Sequence, residues 1–185
     1  RKIRELAYNF DSDGYQAKKA KDYDGFNYLI NLEELEISCG SEENIDFLKN
    51  CVNIKKLTLN LEPIEYGDTI LTKNIDALKY LKKLEELEIN AVPHELSPLA
   101  NFSFSGLSSC KNLKTLSLSI TASDEALTSL KKCYSLEKIY FSSISNCKIK
   151  LNMLSLKGIS KLDKLKNISL NGVDLLQSKS KLFID

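Results

Sequence analysis

The chain has 185 residues, of which 43% are hydrophobic, and its 26 Lys and Arg residues against 25 Asp and Glu give a net charge of +1. This length and apolar content support one continuous core, which excludes a disordered chain and a disulfide-stapled miniprotein. The balanced charge provides no overall field that attracts nucleic acid or an anionic membrane. We therefore expect neither as a partner.

One apolar phrase recurs along the chain. Its form is apolar-x-x-apolar-x-apolar followed by Ser or Asn, as in the segment from Leu32 to Ser38. The seven copies begin at Ile3, Leu32, Ile54, Leu84, Leu113, Leu136 and Leu165. Successive copies begin 22 to 30 residues apart. Units of this length cannot bury their own apolar faces and must stack on one another. The repeat therefore predicts a solenoid.

Further apolar residues precede most phrases at three-residue steps, as Leu48 and Cys51 do before Ile54. A spacing of three fits one side of a helical segment, whereas the closing apolar-x-apolar pair fits a short strand. Each unit is therefore predicted to consist of a helix, a turn and a strand.

Three of the five cysteines, Cys51, Cys110 and Cys133, occupy one position of the repeat. An odd number of cysteines does not indicate a secreted disulfide framework, and paired C-x-x-C spacing typical of a zinc site is absent. We predict buried, reduced thiols in a cytoplasmic protein. A Cys110–Cys133 disulfide and a secreted effector are the alternatives.

Catalytic signals are weak. His94 is the only histidine, and although Glu95 follows it, no nucleophile signature accompanies the pair. The seven scattered glycines form no nucleotide-binding fingerprint, and no basic run is interleaved with aromatic residues. We predict no enzymatic activity, no cofactor, no metal and no nucleic-acid partner.

The seven phrases resemble the leucine-rich repeat family, from Ile3 to about Leu176. The resemblance implies an α/β solenoid, curved, with parallel strands on its concave side and helices on its convex side. Repeats of this length are similar to the ribonuclease-inhibitor-like and cysteine-containing types. We expect residues 1–185 to form a single domain that is part of a longer chain.

One feature departs from the family. Its usual Asn or Cys ladder position, three residues after the phrase, holds Asp11, Gly40, Glu62, Val92, Thr121, Ile144 and Val173. Ser or Asn instead follows each phrase directly, at Asn9, Ser38, Asn60, Asn90, Ser119, Ser142 and Asn171. We expect no ladder at the usual position, and we expect these Ser and Asn side chains to bond to the backbone where the strands end.

The outward strand positions form columns across the stack. The first column alternates in sign at every repeat: Arg4, Glu33, Lys55, Glu85, Lys114, Glu137 and Lys166. It predicts a continuous ladder of cross-strand pairs that sets the stacking order. The next two columns hold two acidic patches and an aromatic residue, and they supply the predicted partner-binding residues: Glu34, Glu36, Lys56, Glu86, Glu88, Lys138 and Tyr140.

The resemblance to the leucine-rich repeat family implies a protein-binding module or scaffold that uses its concave face and adjacent loops. A basic segment of a partner fits the acidic patches, since charge complementarity selects partners. The alternatives are the substrate-recognition part of a ubiquitin-ligase adaptor, a structural subunit of a large complex, and a parasite or bacterial effector. Uncapped end strands also leave oligomerisation open.

Overall fold

The structure is a computed structural model. It describes residues 3–8, 22–39, 45–61, 72–91, 101–103, 105–119, 130–142, 149–152, 159, 161–171 and 173–176. Among the residues singled out above, Asn9, His94 and Glu95 lie outside these ranges. So do all the usual ladder positions except Val173.

Seven parallel strands form the main sheet, in the spatial order β1-β2-β3-β5-β7-β8-β10. Their bounds are Glu5–Tyr8 for β1, Glu34–Cys39 for β2, Lys56–Leu61 for β3, Glu86–Ala91 for β5, Thr115–Ser119 for β7, Lys138–Ser142 for β8 and Asn167–Asn171 for β10. Each strand comes from one phrase and pairs in register with the strands of the neighbouring repeats. The predicted solenoid is confirmed.

Alternation within each phrase decides which side of the sheet is buried. In β3, Leu57, Leu59 and Leu61 are buried, while Thr58 and Asn60 between them are only half-buried. Successive strand residues point to opposite sides, so the apolar set of every repeat enters one core. The opposite, polar side, which we call the sheet face, points away from this core.

Among the described residues, the helical part of five units is a short 3-10 helix. The five are Asp22–Tyr28, Asp46–Asn50, Asp76–Tyr80, Ser105–Ser109 and Leu130–Lys132. The three-residue apolar spacing explains this type of helix, because a 3-10 helix has three residues per turn and aligns side chains i and i+3. Leu48, Cys51 and Ile54 are all fully buried, and the Cys51 amide donates to the Leu48 carbonyl at 3.0 Å.

Four further strands lie outside the phrases in the described part of the chain. They are Thr72–Asn74 for β4, Asn101–Ser103 for β6, Ile149–Asn152 for β9 and Val173–Leu176 for β11. The parallel pairs β4–β6 and β9–β11 make two small sheets. Some connections therefore pair with those of a neighbouring repeat, as the main strands do.

The three cysteines at one repeat position are fully buried. Their thiols lie within hydrogen-bonding range of carbonyls in the preceding repeat: Cys51 with Phe26 at 3.7 Å, Cys110 with Leu78 at 3.3 Å and Cys133 with Leu107 at 3.2 Å. Burial raises the pKa of Cys51 and Cys133 to about 11, and burial together with the nearby Cys133 raises that of Cys110 to about 12. The neutral thiol is the form that this core accommodates.

Asparagines in the turn before the phrase also bond from one repeat to the next. Asn53 Nδ2 donates to the Ile30 carbonyl at 2.6 Å, and Asn112 Nδ2 donates to the Lys82 carbonyl at 2.8 Å. This contact was not predicted from the sequence, although Asn recurs directly before the phrase at residues 31, 53 and 112. A side-chain-to-backbone contact between repeats therefore exists, at a different position from the family's usual one.

Replacing Asn112 with Asp tests the strength of this turn contact. The carboxylate has the same shape but cannot donate to the Lys82 carbonyl, so we expect the free energy of unfolding to fall by about 1 kcal/mol. Urea unfolding followed by circular dichroism measures the change. If Asn112→Asp unfolds at the same urea concentration as the unmodified chain, the contact contributes nothing to stability.

Candidate functional site

The sign-alternating column forms separate pairs. Among the described side chains the salt bridges are Lys55–Glu33 at 2.9 Å, Lys114–Glu85 at 2.6 Å and Lys166–Glu137 at 3.0 Å. Hydrogen bonding by each lysine lowers the pKa of its glutamate. The prediction of one continuous ladder is thus wrong in detail. The pairs are solvent-exposed, and pairs of this kind contribute little to stability.

The backbone of the same column contributes to the stacking register. The Lys55 carbonyl accepts hydrogen bonds from the amides of Glu85 at 2.7 Å and Glu86 at 3.0 Å, and this arrangement recurs from repeat to repeat. The column therefore lies at the edge where the strands begin. Its charged side chains are engaged with one another, which favours a structural role over a binding role.

The acidic part of the sheet face spans β2, β3 and β5. The register places Lys56 between Glu34 and Glu86, and Thr58 between Glu36 and Glu88. All four glutamates and Lys56 are exposed. Strands lie about 4.8 Å apart, so the two pairs of glutamates are separated by about 10 Å with a single lysine between them.

Two asparagines donate hydrogen bonds to Glu36 and Glu88. Asn60 Nδ2 donates to Glu36 Oε1 at 3.1 Å, and Asn90 Nδ2 donates to both Asn60 Oδ1 and Glu88 Oε1, each at 3.1 Å. These asparagines directly follow the phrase, where bonding to the backbone was expected. The observed bonds join side chains instead, because both residues lie inside strands and point to the sheet face. The acidic patch is therefore partly preorganised.

The C-terminal part of the sheet face differs in character. In register, Lys138 lies between Thr115 and Asn167, and Tyr140 lies between Ser117 and Ser169. In the next row, Ser119 Oγ and Ser142 Oγ share a hydrogen bond of 2.7 Å. Lys138 is exposed and Tyr140 is half-buried. This part is hydroxyl- and amide-rich, with one cation and one aromatic ring.

The structure places all seven predicted partner-binding residues on the one sheet face, in two groups. The first group is acidic and lies on β2, β3 and β5. The second, Lys138 and Tyr140, lies on β8, about 10 Å beyond β5, because β7 intervenes. Sequence reasoning missed Asn60 and Asn90 as members of the first group.

A pocket of about 220 Å³ lies at the edge where the strands begin. It is lined by Arg4, Asn31, Glu33, Asn53, Lys55 and Lys83. Several of these groups are already engaged, since Lys55 pairs with Glu33 and Lys83 Nζ donates to Asn53 Oδ1 at 2.6 Å. The pocket therefore presents few groups to a small ligand.

Within the described ranges, no group of three or more His, Cys, Asp or Glu residues is placed to hold a metal ion. None of the helices in these ranges has the length and apolar content needed to span a membrane.

Comparisons with known proteins identify the fold. No protein-family model and no curated protein matches the chain. Among solved structures, the leucine-rich repeat ectodomain of the Arabidopsis thaliana receptor kinase GASSHO1/SCHENGEN3 is 18% identical with a TM-score of 0.51, covering 94% of this chain and 19% of its own. That ectodomain was solved in complex with CASPARIAN STRIP INTEGRITY FACTOR 2.

Two bacterial proteins are also similar. Internalin C2 from Listeria monocytogenes is 20% identical with a TM-score of 0.48, covering 84% of this chain and 68% of its own. An internalin from the same organism, the product of inlF, is 15% identical with a TM-score of 0.34, covering 83% of this chain and 58% of its own.

The in-register strands and the receptor ectodomain together define the class. The chain has the fold of leucine-rich repeat proteins, as its seven phrases predicted. The ribonuclease-inhibitor-like subtype is not established.

Proposed function

We propose that this leucine-rich repeat unit recognises a partner protein through its sheet face, without catalysis. The observation that carries the proposal is the preorganised acidic patch, in which Asn60 and Asn90 orient Glu36 and Glu88. Groups already held in their bound positions lose little entropy on association, which favours affinity.

The charges of the face define the partner. Four exposed glutamates surround Lys56 on the acidic side, so the complementary segment carries Lys or Arg. The partner continues toward β8, where Tyr140 offers an aromatic contact of the kind that dominates interface energies. A segment that spans β2 to β8 extends over about 19 Å.

The receptor ectodomain of the same fold, solved in complex with another molecule, supports a recognition role by analogy of fold. The proposed face would serve equally in a ubiquitin-ligase adaptor, in a subunit of a large complex, or in an effector. We further propose that Cys51, Cys110 and Cys133 remain reduced, since their burial disfavours the reactive thiolate. Reduced thiols are typical of cytoplasmic proteins, so we propose that the protein acts in the cytoplasm.

Charge reversal at Glu86 tests the proposal. Immobilised unmodified chain and its Glu86→Lys variant are used to capture proteins from the native source, and a captured protein is then titrated in purified form. We expect the variant to bind it at least about tenfold more weakly, since like charges then face each other across the interface. Tyr140→Ala is expected to weaken the same complex by a further, separate contribution.

Asp163→Lys is the matched control, because it makes the same charge change at an exposed residue away from the sheet face. It should bind the partner as the unmodified chain does. Equal affinities for Glu86→Lys, Tyr140→Ala and Asp163→Lys would show that the sheet face is not the recognition surface.

A further inference from the structure

The turns that precede the strands stack into a continuous edge, which we call the turn ridge. It comprises residues 30–31, 52–53, 82–83, 111–112, 134–135 and 163–164, the last two residues of each 3-10 helix, and Lys161. The Asn53 and Asn112 bonds described above join its neighbouring turns, and Lys111 Nζ donates to the Lys132 carbonyl at 3.1 Å. Six turns about 4.8 Å apart make the ridge about 24 Å long.

Folding concentrates positive charge on this ridge. Its nine lysines are all exposed: Lys49, Lys79, Lys82, Lys83, Lys111, Lys131, Lys132, Lys161 and Lys164. Its only acidic residue is Asp163. The acidic residues of the sheet face lie on a different surface, so the net charge of +1 conceals a strong separation of charge.

The ridge also carries most of the large apolar side chains that are exposed in the described part of the chain. They are Tyr28 at 84% exposure, Ile30 at 54%, Val52 at 45%, Tyr80 at 41% and Tyr134 at 64%. Lys79 lies 5.2 Å from the ring of Tyr80, and Lys111 lies 5.4 Å from the ring of Tyr134. Basic and apolar groups therefore share one surface, and two tyrosines are paired with lysines.

We infer that the turn ridge docks onto an anionic lipid surface. Each lysine close to such a surface contributes about 1 kcal/mol, so several lysines acting together are enough for reversible binding. Tyrosine favours the boundary between headgroups and acyl chains, where its ring is apolar and its hydroxyl is hydrated. Burial of the exposed aliphatic side chains of Ile30 and Val52 in the same boundary would make the free energy of binding more favourable.

Those aliphatic side chains favour lipid over nucleic acid. Bases stack on aromatic rings and on guanidinium groups, whereas Ile30 and Val52 offer neither. The ridge also holds lysines and no arginine, so it lacks the planar donors that read phosphates and bases in pairs. A planar lipid surface can contact all six turns at once, with the sheet face left open.

This inference departs from the expectation drawn from the overall charge, which gave no reason for a membrane contact. Along the chain the lysines are spread over more than a hundred residues, with no basic run. Stacking brings one or more lysines per repeat to the same edge from the third phrase onward. The inference is independent of the proposed partner contact, because the two surfaces share no residue.

Co-sedimentation with vesicles tests the inference. The full chain is mixed with vesicles of phosphatidylcholine alone, or with about 30% phosphatidylserine, at about 0.05 M and about 0.5 M salt. We expect binding only to the phosphatidylserine vesicles, with clear weakening at the higher salt. The double variant Lys82→Glu/Lys131→Glu should bind at least about tenfold more weakly.

Lys56→Glu/Lys138→Glu is the matched control, because it makes the same change in net charge on the sheet face. It should sediment with the vesicles nearly as the unmodified chain does. Ile30→Ser/Val52→Ser should weaken the binding that persists at about 0.5 M salt, since that part depends on apolar contact. Circular dichroism checks that every variant is folded.

Three results would overturn the inference. They are equal binding to both kinds of vesicle, equal loss in the two lysine double variants, and binding to a single-stranded oligonucleotide without binding to phosphatidylserine. Loss of vesicle binding in Lys82→Glu/Lys131→Glu with unchanged capture of the partner protein would support it and leave the proposed function standing.

Discussion

Replacing Gly106 with alanine is expected to lower the free energy of unfolding by about 1–3 kcal/mol, because the new methyl group overpacks the contact between two repeats. A Cβ atom at this position would lie 3.0 Å from the Asp76 carbonyl oxygen, 3.1 Å from the Asp76 Cα and 3.2 Å from the Ile75 carbonyl oxygen. All three are backbone atoms. The Ile75 carbonyl also accepts the Leu78 amide at 3.0 Å, so it cannot shift without disturbing the 3-10 helix.

Gly25→Ala is the matched control for that substitution. Gly25 also lies in a 3-10 helix, and a Cβ atom there would meet nothing within 4 Å. Restricting the unfolded chain should make this variant equal in stability or more stable by about 0.4–1 kcal/mol. Urea unfolding of the two variants measures the contrast. Equal stability of Gly106→Ala and Gly25→Ala would show that close packing does not restrict residue 106.

The buried thiols predict a loss of stability in alkaline solution. Their folded-state pKa values, about 11 for Cys51 and Cys133 and about 12 for Cys110, exceed the ordinary value of 9.0. Below pH 9 the thiols are neutral in both states, and their contribution to stability is fully present. As the pH rises from 9 toward the folded-state pKa values, the thiols ionise in the unfolded chain first, so that contribution is lost. Between about pH 9 and pH 11, each thiol should lower the free energy of unfolding by up to about 1.4 kcal/mol per pH unit.

Urea unfolding at a series of pH values measures this slope. Cys110→Ala removes one of the three thiols and should reduce the steepness above pH 9 by about a third. The comparison rests on slopes, so the packing lost with the smaller side chain of this variant does not affect it. A slope unchanged by Cys110→Ala would mean that other groups govern the alkaline transition.

Much of the fold followed from local periodicity. The three-residue spacing around Cys51 corresponds to the 3-10 helix, and the alternation of Leu57 and Leu59 corresponds to a strand with one buried side. The outward position of Glu34 and Tyr140 followed from the same alternation. The helical segments predicted by the three-residue spacing are 3-10 helices in five of the units, because that spacing matches the three residues per turn of a 3-10 helix.

Contacts between repeats were harder to predict, because they join residues separated by 21 to 32 positions, whose register only stacking defines. In the first outward column Lys55 lies between two glutamates, Glu33 and Glu85, and the sequence did not show which of them it pairs with. In the structure Lys55 pairs with Glu33. Asn60 was expected to bond to the backbone. Its position inside a strand, beside Asn90 and Glu36, directs its side chain to its neighbours instead.

The sequence by itself determined the repeat, the buried apolar column with its three thiols, and the residues that face outward from each strand. These depend on the conformation of a few consecutive residues, which local side-chain pattern controls. The tertiary structure alone decided the Asn60–Asn90 network, the choice of salt-bridge partners and the assembly of nine lysines on the turn ridge. These features depend on distances between repeats, which exist only once the repeats have stacked.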